Sequence, residues 1–386
     1  MRKFILLFCV VTVLFISCKK ETKQIAQPVQ PEAQVKPSCG TDEAMARLSP
    51  EMRADMMRAA KTEFQATELL MFLDFDGALI RRGNANATGS FSPIINFSTA
   101  NCPAPSLTAQ QKTDIVNQVK DDYSPFNIIV TTDQAMFNAY PAQNKQICIV
   151  TTFPNVIGFP NSVGGVSPFA GPGFRMSSNP CFVFASLYGG NVNDIAGVIS
   201  HETGHTMGLD HQSLFNESCG YLTEYHPGFG TGPTSFVPIM GNGGVKRIIN
   251  WFAQECPSHA FGHIQDDFQF LNNQVSLRDD DFPDIPSGGN APSGNEFTGV
   301  LEKDGDVDFI SINFKNPGDV TVSSNNIDIK VSVYNNGGHL IGEYDDPNDT
   351  GVTIPSMNGK KWLKIEAVSN ENMSSRFMTG QYKVSY

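Results

Sequence analysis

Apolar and polar residues follow two different patterns along the chain. In the first region, a helical stretch at residues 108–122, with apolar positions repeating about every 3.6 residues, lies among short runs rich in β-branched and aromatic residues. These runs predict strands at residues 69–75, 127–132, 146–153 and 181–187. A second helical stretch follows the last strand. Residues 67–278 are therefore predicted to form an α+β domain with a twisted mixed sheet.

The C-terminal region alternates apolar and polar residues in short, regularly spaced runs, which is typical of an all-β antiparallel sandwich over residues 296–386. The predicted strands are residues 309–314, 320–322, 327–334, 362–368 and 382–386. Residues 279–295 begin with three aspartates and continue with repeated prolines and glycines. This composition predicts a linker that few contacts cross.

The N-terminus has the composition of an export signal. A short basic start precedes an apolar stretch that is too short to span a bilayer as a permanent helix, so residues 1–17 are interpreted as a signal peptide. A small residue followed by Cys18 resembles a bacterial lipobox, which implies a lipid on Cys18; plain secretion is the alternative. Residues 18–37 are predicted to be a flexible tether, and residues 38–66 a partly helical pro-segment.

Length and charge exclude several classes of function. A chain of 386 residues can hold two domains plus tails. The net charge of −12 at pH 7 leaves no basic surface for phosphate groups, so no nucleic-acid partner is predicted. No later apolar run is long enough for a transmembrane helix, so the only membrane attachment that we predict is through the lipid anchor.

The cysteines support export. Setting aside Cys9 and Cys18 leaves six of the eight, an even number that is typical of an oxidising compartment. The connectivity cannot be deduced from the sequence. Candidate bridges are Cys219–Cys256, Cys148–Cys181 and Cys39–Cys102.

The most specific motif is HETGHTMGLDH, which starts at His201. On a helix, His201 and His205 lie one turn apart on the same face, so both can reach one metal ion. Gly208 can take the left-handed conformation that ends a helix, which returns His211 as a third ligand. Three imidazoles leave the fourth position of a tetrahedral Zn²⁺ to water. Glu202, beside the first ligand, is the candidate base that takes a proton from that water.

This motif resembles the metzincin clan of zinc metallopeptidases. The downstream run FVPIMGN is similar to the methionine turn of that clan, and the resemblance implies that Met240 lies beneath the three imidazoles. Several metzincin families have a tyrosine two residues after this methionine, where the present chain has Asn242. Tyr221, Tyr225 or His226 are candidates for its role at the zinc or the oxyanion.

The same resemblance suggests a mechanism of latency. Some metzincins stay latent because a cysteine of the pro-segment occupies the open zinc position, and Cys39 is a candidate for this role; a disulfide, for instance to Cys102, is the alternative. Substrate is expected to lie extended along an edge strand at residues 181–187. The specificity pocket is expected to come from the loop at residues 215–236.

Two acidic motifs have weaker support as metal sites. Asp74 and Asp76 follow a predicted strand, where carboxylates usually cap turns. Asp304, Asp306 and Asp308 resemble the start of an EF-hand loop, but Lys315 is at the position where that loop needs its glutamate. Calcium is therefore possible but unsupported, and a structural turn is predicted. This stretch and the strand pattern after it resemble the pre-peptidase C-terminal domain that is appended to many secreted bacterial proteases.

Together these features predict a zinc-dependent endopeptidase with one catalytic Zn²⁺. It would hydrolyse protein or peptide substrates at the bacterial cell envelope, as an outer-membrane or cell-surface lipoprotein. A non-catalytic surface-binding lipoprotein with a vestigial zinc site is the alternative class. A zinc hydrolase of non-peptide amides is a second alternative.

Overall fold

The structure, a computed structural model, describes residues 37–54, 66–83, 89–168, 180–242, 246–257, 264–286, 288–346 and 348–386. The predicted signal peptide, the lipidation site Cys18 and nearly all of the tether lie outside these residues. Within the described part of the chain, no helix is both long enough and apolar enough to cross a membrane. Residues 36–386 form one compact unit.

The first sheet has six strands. In chain order they are β1 (Ser38–Cys39), β2 (Leu69–Asp74), β6 (Ile128–Thr131), β7 (Lys145–Thr151), β8 (Val163–Val166) and β9 (Cys181–Phe184). Their spatial order is β1-β8-β9-β7-β2-β6, and only the β8–β9 pair is antiparallel. Every residue of β2, β7 and β9 is buried, as expected for parallel strands that are covered on both faces. The sheet is mixed, as predicted.

The helices with both ends described are α1 (Thr41–Ala46), α2 (Ala109–Asp122), α3 (Gln134–Ala139), α4 (Val192–Thr206) and α5 (Asp267–Gln274), and residues 50–54 are also helical. Thr108 and Gln111 form a capping box at the start of α2, at the predicted position. The side chain of Asn191 caps α4 by accepting hydrogen bonds from the backbone N–H groups of Asn193 and Asp194. Because α4 carries the histidine motif, this cap fixes where the motif helix begins.

The start of the predicted pro-segment is packed into the first region. Ala44 and Leu48 are buried in the same hydrophobic cluster as β2 and β7 side chains. Arg47 donates hydrogen bonds to the carbonyl oxygens of Ile94 (3.0 Å) and Gly158 (2.7 Å). The segment around α1 is therefore held by both apolar and polar contacts.

The edge of the sheet is not where the sequence suggested. The strand at residues 181–187 was expected at the edge, but β9 lies between β8 and β7. β8 pairs with the other side of β9, and β1 pairs with β8 in parallel orientation, so β1 is the edge strand. The expectation was wrong because strand order depends on long-range pairing, which a local apolar run does not encode.

Three smaller sheets surround this core. They consist of β3 (Ala78–Arg82) with β4 (Phe91–Ser92) and β5 (Thr99–Cys102), of β10 (Leu214–Phe215) with β11 (Tyr221–Thr223), and of β12 (Phe236–Pro238) with β13 (Ile248–Asn250). The β10–β11 pair is antiparallel, and the β12–β13 pair is parallel.

The C-terminal region forms an antiparallel sheet of six strands. In spatial order they are β14 (Glu296–Leu301), β19 (Gly380–Ser385), β15 (Val307–Ser324), β18 (Val352–Ala367), β16 (Ile329–Asn335) and β17 (Leu340–Asp345). The two strands predicted at residues 309–314 and 320–322 are one long strand, because register shifts between Phe314 and Val320 bend the ladder without ending it. The antiparallel all-β character is as predicted, with all six strands in one hydrogen-bonded sheet.

The predicted linker packs against this sheet, so the expectation of few contacts was wrong. Phe282 is buried, and Ser311 of β15 donates a backbone hydrogen bond to Gly289 (2.7 Å). Phe236 and Ile248, from the first region, belong to the hydrophobic cluster of the C-terminal sheet. Buried side chains therefore join the two regions.

Candidate metal centre

The histidine motif brings three imidazoles to one point. His201 and His205 lie in the last two turns of α4, and Gly208 has a φ of 100°, the left-handed conformation that turns the chain back with His211. The Nε2 atom of His205 is 3.1 Å from the Nε2 atoms of both other histidines. Ligand atoms 2.0–2.1 Å from a tetrahedral zinc ion would be about 3.3 Å apart. The cluster therefore could hold one such metal ion.

Each imidazole directs its other nitrogen, Nδ1, away from this point. Nδ1 of His201 lies 2.9 Å from the carbonyl oxygen of Ile239, that of His205 lies 2.7 Å from the carbonyl oxygen of Leu209, and that of His211 lies 2.9 Å from Oε1 of Glu224. Donation from Nδ1 selects the tautomer whose Nε2 lone pair faces the centre. Burial lowers the pKa of His201 to about 3 and that of His205 well below its usual value, so both are neutral at pH 7.

Cys39 completes a group of four potential ligands. Its Sγ lies 3.5 Å from Nε2 of His205, and the four ligand atoms are all within 4.8 Å of one another. Thr41 holds the sulfur through its backbone N–H at 3.4 Å, and its hydroxyl oxygen lies 3.0 Å from the thiol. The structure thus places the candidate latency cysteine at the fourth position around the histidines.

Glu202 is fully buried beside this group. Burial raises the pKa of its carboxyl to about 8, although hydrogen bonds with Cys39 and Thr41 lower it in part. Oε2 accepts a hydrogen bond from the Cys39 thiol at 3.7 Å, and Oε1 has no hydrogen-bond partner. A Cβ atom at Gly165 of β8 would lie 2.5 Å from Oε1, so this strand can approach the carboxylate only because residue 165 is glycine.

Met240 packs against α4 beside the histidine cluster. It is fully buried, and its sulfur would be 2.7 Å from a Cβ atom at Gly204, which lies within the histidine motif. The preceding residue, Ile239, supplies the carbonyl group that contacts His201. The segment that contains Met240 therefore lies beside the histidine motif, and a place for Met240 beneath the imidazoles stays a prediction.

Of the three candidate oxyanion residues, Tyr225 alone lies against the histidines among the described contacts. Its ring centroid is 4.5 Å from that of His211, and a hydrogen bond links it to the backbone of Cys39. His226 accepts a hydrogen bond from the backbone of Gly228 within its own loop, and Tyr221 is 42% exposed on β11.

A cavity of about 80 Å³, open to solvent, lies beside the cluster. Its apolar wall includes Val198 of α4, Val237 and Ile249, and its polar residues include Asn193 and Asn242. These residues come from α4 and from the chain after residue 236. The expected source of the pocket, the loop at residues 215–236, contributes Tyr225 alone among the lining residues.

The cysteines only partly follow the expectation of bridges. Cys219 and Cys256 form the predicted disulfide, with their Cα atoms 5.3 Å apart. Cys148 and Cys181 face each other across β7 and β9, as predicted for neighbours, but both are free thiols. Cys39 and Cys102 are also free, because one lies at the histidines and the other is buried in β5.

The carboxylates of the two acidic motifs mainly accept hydrogen bonds from nearby parts of the fold. Oδ1 of Asp74 accepts a hydrogen bond from the backbone of Asp76 at 2.9 Å, which is the predicted capping role. In the EF-hand-like stretch, Asp306 accepts from the backbone of Glu302 at 2.6 Å and Asp308 from the hydroxyl of Tyr382 at 2.5 Å. Both carboxylates thus point into the domain, although Asp306 also lies within 4.8 Å of Asp280 and Asp284.

Three contributors to the site have no recognisable signal in the sequence. Glu224 follows the β10–β11 hairpin, Gly165 lies in β8 and Thr41 begins the first helix, all distant from the motif along the chain. No periodicity or motif marks these residues. Their roles follow from the tertiary fold.

Comparisons with known proteins give only weak likenesses. No family model and no curated protein matches the chain. The chain is similar to the pre-peptidase C-terminal domain of a collagenase from Bacillus anthracis, with 14% identity over 25% of this chain and 91% of that one, and a TM-score of 0.19. It is also similar to PliG, a periplasmic inhibitor of g-type lysozyme, from two organisms. For the Aeromonas hydrophila protein the identity is 15% over 25% of this chain and 93% of that one, with a TM-score of 0.20. For the Salmonella Typhimurium protein the identity is 23% over 25% of this chain and 92% of that one, with a TM-score of 0.18.

Proposed function

We propose that the protein is a zinc-dependent endopeptidase of the metzincin type, with His201, His205 and His211 as zinc ligands. The observation that carries this proposal is the convergence of three Nε2 atoms beside a buried glutamate that has an unpaired oxygen. Imidazole nitrogens are preferred zinc ligands, and three of them leave a position for substrate or water.

The residues of the site suit peptide hydrolysis. When bound, zinc polarises the scissile carbonyl group and lowers the pKa of water. Glu202 accepts a proton from the attacking water and donates it to the leaving amine, and the raised pKa of its carboxyl suits it to hold that proton between the two steps. Tyr225, which lies against His211, donates a hydrogen bond to the oxygen that becomes negative in the transition state.

The described form is the latent precursor in this proposal. The Cys39 thiol stands at the position that water needs, and β1 pairs with β8, the strand that would otherwise bind substrate. Extended peptides bind along β8 once β1 has left, because the backbone groups of an edge strand can form a ladder with a new chain. The apolar wall of the neighbouring cavity then receives a substrate side chain.

The site of action in this proposal is the bacterial cell envelope, with attachment through a lipid on Cys18 and secretion as the alternative. This part rests on the sequence of the N-terminus. Its partners are proteins or peptides as substrates, and the negative net charge of −12 argues against nucleic acid.

The direct test compares Glu202→Ala with His205→Ala in processed protein. Glu202→Ala should retain about one zinc per chain but lose about 100-fold or more of its peptidase activity, because it removes the proton carrier and none of the ligands. His205→Ala should lose both metal and activity. Chelation should abolish wild-type activity, and added zinc should restore it. Cleavage of casein would exclude a hydrolase limited to non-peptide amides.

Glu217→Ala is the matched control, since Glu217 is an exposed glutamate on the loop between β10 and β11. It should behave as the wild type does. Should Glu202→Ala cleave peptides as fast as the wild type, the activity would belong to a contaminant. A non-catalytic surface-binding lipoprotein would then be the better interpretation.

A further inference from the structure

One buried asparagine of the C-terminal region is linked by hydrogen bonds to the candidate metal centre along two paths. Asn326 lies in the turn between β15 and β16 and is 1% exposed. Its side chain and its backbone carbonyl both form hydrogen bonds with residues of the first region. Two separate paths of hydrogen bonds lead from this residue to His201.

The first path runs through the end of α2. Nδ2 of Asn326 donates to Oδ1 of Asp122 at 3.1 Å. The other carboxylate oxygen of Asp122 accepts from the hydroxyl of Ser200 at 2.5 Å, and Ser200 precedes His201 in α4. Asp122 and Ser200 are both buried, so this path fixes the helix one residue before the first ligand.

The second path runs through the strands below the cluster. Nδ2 of Asn250 donates to the carbonyl oxygen of Asn326 at 3.0 Å. The carbonyl oxygen of Asn250 accepts from the backbone N–H of Ile239 at 2.9 Å. Ile239 is the residue whose own carbonyl group lies 2.9 Å from Nδ1 of His201.

Both paths therefore meet at His201, one at its backbone neighbour and one at its ring. We propose that Asn326 is a positioning residue for the metal centre, so that the C-terminal region holds the first ligand in place. This inference rests on the proposed zinc site. A group that hydrogen-bonds a metal ligand typically contributes 10–100-fold to metal affinity, because it fixes the orientation of the ligand. Ile239 is such a group for His201, and Asn326 acts on it through Asn250. Buried polar groups also need all of their partners, which makes such a network sensitive to the loss of one member.

The neighbouring asparagine provides a matched control. Asn325 lies in the same turn and donates to Asp121, the neighbour of Asp122 in α2, at 3.1 Å. Asn325 is exposed, and the partners of Asp121 are Asn325 and Gln381, neither of which belongs to α4. Replacing Asn325 removes a contact between the same two regions without interrupting either path to His201.

The experiment measures zinc release from the full chain to a chromogenic chelator, together with the visible spectrum of the cobalt-substituted protein. Asn326→Ala should release zinc about 10-fold faster or more and shift the cobalt spectrum. Asn325→Ala should stay within about twofold of the wild-type rate, because it leaves both paths complete. Equal release rates in these two variants would overturn the proposal.

An exchange of side chains tests the bond itself. The double variant Asn326→Asp with Asp122→Asn reverses donor and acceptor and still lets residue 122 accept from Ser200. Gln118, which donates to both residues, keeps its bond to Oδ1 of residue 326 and loses its bond to residue 122. The double variant should therefore release zinc more slowly than Asn326→Ala, within about threefold of the wild type. A folded double variant that releases zinc as fast as Asn326→Ala would contradict the role of this bond.

A further variant keeps the proposal testable if Asn326→Ala does not fold. Ser200→Ala interrupts the first path inside the first region and leaves the contact between the two regions intact. It should also release zinc faster than the wild type, and release at the wild-type rate would overturn the proposal. A wild-type chain that binds no zinc would instead overturn the proposed function on which this inference rests.

Discussion

The three histidines differ in how their second nitrogen is held. Backbone carbonyl groups accept from His201 and His205, and such groups move only if the chain moves. His211 depends on the side chain of Glu224, which is 41% exposed on its hairpin. A side chain with more freedom orients its partner less firmly, so His211 is the ligand with the weakest support.

Gly204 illustrates how one residue joins the motif to its surroundings. A Cβ atom there would be 2.7 Å from the sulfur of Met240, which is fully buried and has little room to move. We expect Gly204→Ala to lower the free energy of unfolding by about 1–3 kcal/mol through overpacking. Thermal or denaturant unfolding of the zinc-free protein measures this change.

The same helix contains the control for this prediction. A Cβ atom at Gly197 would be 4.0 Å from its nearest neighbour, a terminal carbon of Ile249. Gly197→Ala should therefore raise the free energy of unfolding by about 0.5–1 kcal/mol, since alanine favours the helix. A similar loss of stability in both variants would mean that close packing against Met240 is not the cause.

At the scale of elements, β1 and its cysteine would block the proposed site in two separable ways. The thiol of Cys39 lies at the fourth ligand position beside the three histidines, whereas the backbone of β1 pairs with β8. The neighbouring Ser38 contributes only to the second, through a hydrogen bond from its hydroxyl to Ser162 at 3.2 Å. Substitution of the cysteine alone should therefore open the fourth ligand position to water and leave β1 paired with β8.

We expect unprocessed Cys39→Ala to cleave small peptides, because water can then reach the metal, while protein substrates are still excluded from β8. Unprocessed wild type and unprocessed Ser38→Ala should both stay inactive, since each retains the thiol. Assays with a short fluorogenic peptide and with casein distinguish the two effects. The latency role would be refuted if Cys39→Ala were as inactive as Ser38→Ala toward the short peptide while processed wild type cleaved it.

At the scale of the whole molecule, the C-terminal region is part of the support for the first. Arg247 donates to the carbonyl oxygen of Ser324 at 3.4 Å, and Asn250 donates to the carbonyl oxygens of Asn326 (3.0 Å) and Thr379 (2.8 Å). Phe236 lies in the hydrophobic cluster of the C-terminal sheet. The two regions are thus joined by buried polar and apolar contacts together.

A chain that ends at Asp284 should consequently be much less stable than the full chain. It would expose Phe236, remove the Asn326 donor from Asp122 and leave Nδ2 of Asn250 without its two acceptors. Each buried polar group that loses its partner costs about 1–3 kcal/mol. We expect a lower melting temperature and reduced zinc retention, measured by thermal unfolding and by metal analysis. A truncated chain that melts and binds zinc as the full chain does would show that these contacts are dispensable.

The sequence alone was sufficient for the local parts of the site. His201, Glu202 and His205 share one helix, so the 3.6-residue period places the two imidazoles on the same face, and Gly208 supplies the turn that returns His211. The start of α2 at Thr108 was equally local, because a capping box involves residues three positions apart. Such features depend on neighbours along the chain, which a sequence displays directly.

The tertiary structure decided what depends on distant residues. Pairings across the fold place β8 beside the candidate metal centre and β1 against β8. They also bring Glu224 to His211. The proline and glycine content of residues 279–295 suggested a detached linker, but composition does not reveal which buried groups the next region supplies. Asn326 contacts Asp122 across 204 positions of sequence, and only the folded chain brings such residues together, because their contact arises from packing and not from a local period.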